Sequence, residues 1–166
     1  MRSLLIFVVF CIPFMGFSQV KNAGCILRMA NSEDKDLSLV NDSVNISFTF
    51  NSMNYFCKVS IQNKTNEVIS VDWDKFVMIM EGKSYPIIFE NTVMIKKDDP
   101  KGSTNIAPGT SLEKHIAPTD YIELELSLYN KGRVKRHGDQ EIGYIIPLLF
   151  DNDLKYYDCK ISVSLK

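Results

Sequence analysis

The chain has 166 residues, 45% of them hydrophobic and 23% charged, a balance that excludes intrinsic disorder and suits one domain able to bury its own core. Its 19 basic residues against 20 acidic ones give a formal net charge of −1. That excludes a general polyanion binder, nucleic acid included, although a local basic patch remains compatible with it.

Met1 and Arg2 precede an uncharged apolar run from Leu4 to Phe17, and Ser18-Gln19 follow. This order predicts a secretory signal peptide over residues 1–18, with Gly16 and Ser18 small enough for cleavage before Gln19. The run contains Pro13 and Gly16, falls short of the roughly 20 residues a spanning helix needs, and has no successor, so no transmembrane anchor is expected. The mature chain, residues 19–166, would carry 18 basic residues against 20 acidic ones once Arg2 is removed. The expected address is exported, either periplasmic or extracellular. Two alternatives are an uncleaved anchor and a lipoprotein at Cys25, where Ala23 and Gly24 fit but Asn22 stands in place of the required apolar residue.

From residue 44 onward the apolar positions alternate with period two, and helical periodicity is absent. Strands are predicted at Val44 to Phe50, Tyr55 to Gln62, Val68 to Trp73 and Phe76 to Met80. Glu81-Gly82-Lys83 then turns the chain into Tyr85 to Phe89. Pro86 lacks a donor, which places that segment at a sheet edge or bulge. Residues 96–109 read as a surface loop closed by Pro108-Gly109. Thr110 to Ile116 follows, and then Tyr121 to Tyr129, whose Ile122, Leu124, Leu126 and Leu128 alternate with Glu123, Glu125 and Ser127 as in a half-buried strand. A charged loop, Asn130 to Gln140, leads to Ile142 to Phe150, a turn at Asp151-Asn152-Asp153 and a closing strand from Lys155 to Leu165. The expected fold is an all-β, two-sheet antiparallel sandwich of about eight strands forming a single domain.

Cleavage would remove Cys11 and leave Cys25, Cys57 and Cys159, an odd number. Cys57 shares a face with Val59 and Ile61, and Cys159 with Ile161, Val163 and Leu165, so both are expected in the core. There they either form a Cys57–Cys159 disulfide or remain small buried hydrophobes. Cys25 is then the odd thiol. No Cys-x-x-Cys spacing points to redox catalysis.

The segments Val59-Ser60-Ile61-Gln62-Asn63-Lys64-Thr65, Ile69-Ser70-Val71-Asp72-Trp73-Asp74, Gly82-Lys83-Ser84-Tyr85, Ile106-Ala107-Pro108-Gly109-Thr110-Ser111-Leu112 and Ile116-Ala117-Pro118-Thr119-Asp120 resemble the immunoglobulin-like domains of uncharacterised secreted bacterial envelope proteins. The resemblance covers about residues 55 to 122 and rests on turn and strand signals. It implies an exported sandwich serving as a binding or accessory module, and it carries over no catalytic residues.

Candidate chemistry is sparse. Asp72 and Asp74 flank Trp73 and would suit a cation or an acid and base pair, while an acidic strand end beside a core tryptophan explains them as well. Asp151-Asn152-Asp153 begins like a calcium loop but lacks its glycine and distal glutamate. His115 and His137 lack ligand spacing, and Phe76, Met78 and Met80 fit core packing better than a soft-metal site. No nucleophile elbow, phosphate loop or zinc-protease motif occurs. No catalytic residue, metal or cofactor is therefore assigned. The expected function is a secreted, non-catalytic binding or envelope accessory module. Its alternative is a metal-binding protein or hydrolase whose site assembles from Asp72, Asp74, Asp120 and His115.

The ligand-binding candidates are Lys131, Arg133, Lys135 and Arg136, four fixed positive charges within six residues. They would contact an anionic envelope polysaccharide or another envelope protein; a solvated hairpin tip is the structural alternative. Asp42-Ser43-Val44 matches a short bacterial O-glycosylation motif with Ser43 as acceptor. The sequons at Asn41, Asn45 and Asn63 matter only in a eukaryotic secretory path.

Overall fold

The computed structural model of the chain describes residues 20–22, 24–29, 37–51 and 55–166. The leader expected over residues 1–18 and the cleavage point at Gln19 lie outside them. Twelve strands occur among the described residues: β1 Val20–Asn22, β2 Cys25–Met29, β3 Ser38–Val40, β4 Val44–Phe50, β5 Cys57–Asn63, β6 Ile69–Asp72, β7 Val77–Met80, β8 Lys83–Phe89, β9 Ser103–Ile106, β10 Ser111–Pro118, β11 Gln140–Phe150 and β12 Asp153–Leu165. Two short helices, α1 Thr119–Glu123 and α2 Lys131–His137, lie between β10 and β11. The expected eight strands are thus too few. Period-two patterning found the long strands but not the three- to five-residue ones at the sheet margins, where alternation is too brief to register.

The fold is all-β, with antiparallel sheets in a nearly barrel-shaped arrangement. One sheet runs β1-β2-β12-β11-β7-β8, with β6 also on β11 and β9 on β6; the other runs β8-β10-β5-β4-β3. Strand β8 belongs to both. Its Lys83 to Pro86 pair with Met80 to Val77 of β7, and its Ile87 to Phe89 pair with Pro118 to Ile116 of β10. Pro86 sits where the strand changes partners, and a missing N–H costs least where one ladder ends and the next begins. The turn from β7 to β8 has Glu81 and Gly82 both at positive φ, 52° and 73°, the conformation a tight two-residue hairpin requires.

The inward residues of both sheets form one core. Val44, Ile46, Phe48 and Phe50 of β4 face Ile142, Tyr144, Ile146 and Leu148 of β11, all buried. The ring centroids of Phe48 and Tyr144 are 4.5 Å apart across this interior. Trp73 lies in the core as expected, stacked on Phe76 at 5.6 Å, with its indole N–H donating to Thr104 Oγ1 at 2.9 Å.

Residues 121–129 do not form the expected strand. A strand needs a partner edge, and β10 already pairs β5 on one side and β8 on the other. The chain instead turns once as α1 and packs on the outer side of β8 and β10, where Ile88 and Ala117 are buried outside the main core. Tyr121, Leu128 and Tyr129 are buried, whereas Leu124 is 67% exposed. The expected loop at 130–140 is likewise largely helix. Asn130 caps α2, its Oδ1 accepting from the Arg133 N–H at 2.8 Å, and Gly138 ends it at φ 85°. Asparagine at one end and glycine at the other are the usual signals of such a helix.

Candidate functional site

The last turn of α2 lies beside the β7–β8 turn and the start of β11, and the three enclose a recess of about 430 Å³. Glu81, Arg133, Arg136, His137, Asp139 and Gln140 are among the residues lining it. The Asn130 cap sets the helical phase that turns Arg133 inward. Its guanidinium sits over the Tyr121 ring, 5.6 Å from the centroid, and its Nη1 is 3.7 Å from Glu81 Oε1. The Arg133 side chain is only 14% exposed. Its Nη1 is shielded from solvent without a hydrogen bond, and so is Gln140 Oε1. A buried donor or acceptor left unpaired costs about 1–3 kcal/mol, and both atoms belong to residues that line the recess.

The four basic candidates are not one patch. A seven-residue helix spreads its side chains around its axis. Lys131 Cδ stands 3.3 Å from where a Gly24 side chain would begin, and the Lys131 charge acts on the Cys25 thiol. Arg133 packs inward, Lys135 is exposed, and Arg136 Nε donates to Gly132 O at 3.3 Å while lining the recess. The hairpin tip is corrected to a helix whose Arg133 and Arg136 share a concave site with His137. Glu81, in the β7–β8 turn, could not be assigned to that site from the sequence, since it lies about fifty residues before α2.

The Cys57–Cys159 disulfide is not formed, and Cys25, Cys57 and Cys159 are all free and buried. Tyr144 explains this. It forms a cross-strand row with Met78 and Cys159 on one sheet, and its side chain crosses the core to interact with Cys57 on the other, so a tyrosine stands between the two sulfurs. Burial pushes both the Cys57 and Cys159 thiols up to about 12. The Tyr129 hydroxyl is buried with no hydrogen-bond partner and that of Tyr144 is buried with only the Cys57 thiol beside it, and burial raises both above the usual tyrosine value.

The strand-end acids are occupied by backbone. Asp72 Oδ1 accepts from the N–H groups of Asp74 and Lys75, and its Oδ2 pairs with Lys75 Nζ at 2.9 Å. Asp74 accepts from the N–H groups of Lys101 and Gly102. His115 pairs instead with Glu90, and Asp120 is exposed in α1. Among the described residues no three histidine, cysteine or acidic groups are placed to hold a metal ion. Asp151-Asn152 is the hairpin turn between β11 and β12, and Met78 and Met80 are buried in the core.

Ser43 lies half-buried in the turn between β3 and β4. Its N–H donates to Asn41 Oδ1, as does that of Val44, both at 2.8 Å. Asn63 is fully buried. Among the described residues no helix is long and apolar enough to cross a membrane.

The sequence matches no protein-family model, and no curated protein matches it. Among solved structures, a crystal structure of a protein from Archaeoglobus fulgidus aligns over 90% of this chain and 98% of its own, at 12% identity and a TM-score of 0.36.

Proposed function

We propose that this chain is an exported, non-catalytic binding module, an immunoglobulin-like sandwich of the bacterial envelope, and that its ligand is an anionic polysaccharide held in the recess beside α2. The observation that carries this reading is a recess lined by Arg133, Arg136 and Gln140, in which Gln140 Oε1 has no hydrogen-bond partner and Arg133 Nη1 has only a 3.7 Å ion pair with Glu81. Uronic acid units present both complements, a carboxylate for the arginine and a hydroxyl for the amide oxygen. Arg136 at the rim adds attraction for an acidic chain, opposed by the carboxylates of Glu81, Asp139 and Glu141 that also line the recess. Burial of Cys25, 1% exposed in β2, supports a cleaved soluble form over a lipoprotein, because a lipidated sulfur there would have to leave the core.

Binding to polygalacturonate, measured by calorimetry at low ionic strength, tests the site. The wild type should bind, more weakly as salt rises. Arg136→Glu and Gln140→Ala should each weaken binding at least tenfold, and Lys135→Glu should change it little. Absence of binding at low salt, or an unchanged affinity in Arg136→Glu, would overturn the proposal. The export half predicts an intact mass beginning at Gln19 for protein recovered from the cell envelope. A chain retaining Met1 or carrying acyl groups at Cys25 would refute it.

A further inference from the structure

The outward face of β4, β5 and β10 carries a second arrangement of polar groups, distinct from the recess at α2. Ladder register aligns its side chains in rows. Thr49, Lys58 and His115 form one row, Ser47, Ser60 and Glu113 the next, and Asn45, Gln62 and Ser111 a third. Glu90, at the end of β8, extends the first row: its N–H donates to the His115 carbonyl, and its carboxylate pairs with the His115 ring.

The charged side chains on this face are paired, Lys58 with Glu113 at 3.2 Å and His115 with Glu90. The rest of it is a field of hydroxyls and amides. The face is also grooved. A cleft of about 440 Å³ lined by Phe89, Glu90 and Lys114 lies on one side of His115, and another of about 270 Å³ lined by Thr49, Phe56 and Lys58 on the other. His115 lines both and stands between them. Asn45 Oδ1, in the third row, is shielded from solvent and has no hydrogen-bond partner.

We infer that this face binds a neutral, hydroxyl-rich chain, an uncharged oligosaccharide laid across β4, β5 and β10 with His115 between two sugar subsites. Hydroxyls both donate and accept, which matches rows of serine, threonine, asparagine and glutamine, and the apolar face of a sugar ring matches Phe56 at the wall of the smaller cleft.

Electrophoresis through native gels containing hydroxyethylcellulose, dextran or galactomannan tests this, each variant being referred to its own mobility in a plain gel. The wild type should be retarded by at least one polymer. Retardation should vanish in Lys58→Ala/His115→Ala, and also in Ser60→Arg, which fills the middle row with a bulky side chain. Urea midpoints near that of the wild type would show that both variants fold. Arg136→Glu should keep full retardation, which separates this face from the anionic site. Passage of the wild type unretarded through all three polymers, retention of retardation in either folded variant, or its loss in Arg136→Glu would overturn the inference.

Discussion

The Asn63 amide nitrogen donates to the Ile106 carbonyl oxygen at 3.0 Å, linking the end of β5 in one sheet to the end of β9 at the margin of the other. The same nitrogen donates to Glu67 O at 2.7 Å, and Asn63 Oδ1 accepts from the N–H and the hydroxyl of Thr65. Its backbone N–H donates to Thr110 O, and its carbonyl accepts from Gly109 N–H. One buried residue thus holds the corner where the chain passes from β9 to β10.

Asn63→Ala should therefore be among the more damaging single changes. It strands the buried Ile106 carbonyl, at about 1–3 kcal/mol for a buried group left unpaired, and removes the partner of the half-buried Thr65 N–H. A total loss of about 2–4 kcal/mol, read as a lower urea midpoint at unchanged slope, is expected. A loss under about 0.5 kcal/mol would show that water replaces the amide.

Tyr144→Phe should behave in the opposite way. The hydroxyl it removes is buried beside a thiol and has no oxygen or nitrogen partner, so folding strips it of water with little return. Thermal unfolding should show a neutral or stabilising effect. A loss above about 1 kcal/mol would indicate a bridging water at that oxygen.

The three thiols should be silent toward Ellman's reagent in the native protein at pH 8 and all react in denaturant. Burial raises the Cys57 and Cys159 values to about 12 from an ordinary value of 9.0. A folded value raised above the unfolded one means stability is complete below the unfolded value and is lost as pH rises toward the folded one. Urea midpoints should thus decline between about pH 9 and 12. Fast native reaction of Cys57 at pH 8 would contradict the burial argument.

Arg133 and Lys135, two residues apart on α2, should separate in stability. Arg133→Ala removes a guanidinium packed on Tyr121 and near Glu81 and should cost about 1–2 kcal/mol. Lys135→Ala, at an exposed position, should stay within about 0.5 kcal/mol. Equal midpoints for the two variants would mean that the inward packing contributes nothing.

Where alternation persists for five residues or more and the strand has a free edge to join, the sequence pattern and the structure agree, as in β4, β5, β11 and β12. Residues 121–129 alternate equally well, yet both edges of β10 are already occupied. Binary pattern encodes which face of an element is apolar but not whether a partner edge is available. At 130–138 the signals were local, an asparagine cap and a terminal glycine, and the concentration of charge between them masked a short helix.

The sequence by itself determined the all-β class, the inward placement of Cys57, Cys159 and Trp73, and the tight turn at Glu81-Gly82, because alternation and turn chemistry act over a few neighbouring residues. The tertiary structure alone decided the exchange of β8 between sheets at Pro86, the placing of Tyr144 between the two thiols, and the meeting of Arg133 with Glu81 and Gln140. Those depend on which strand edges and core faces remain open once every other element has packed, a competition settled over the whole chain at once.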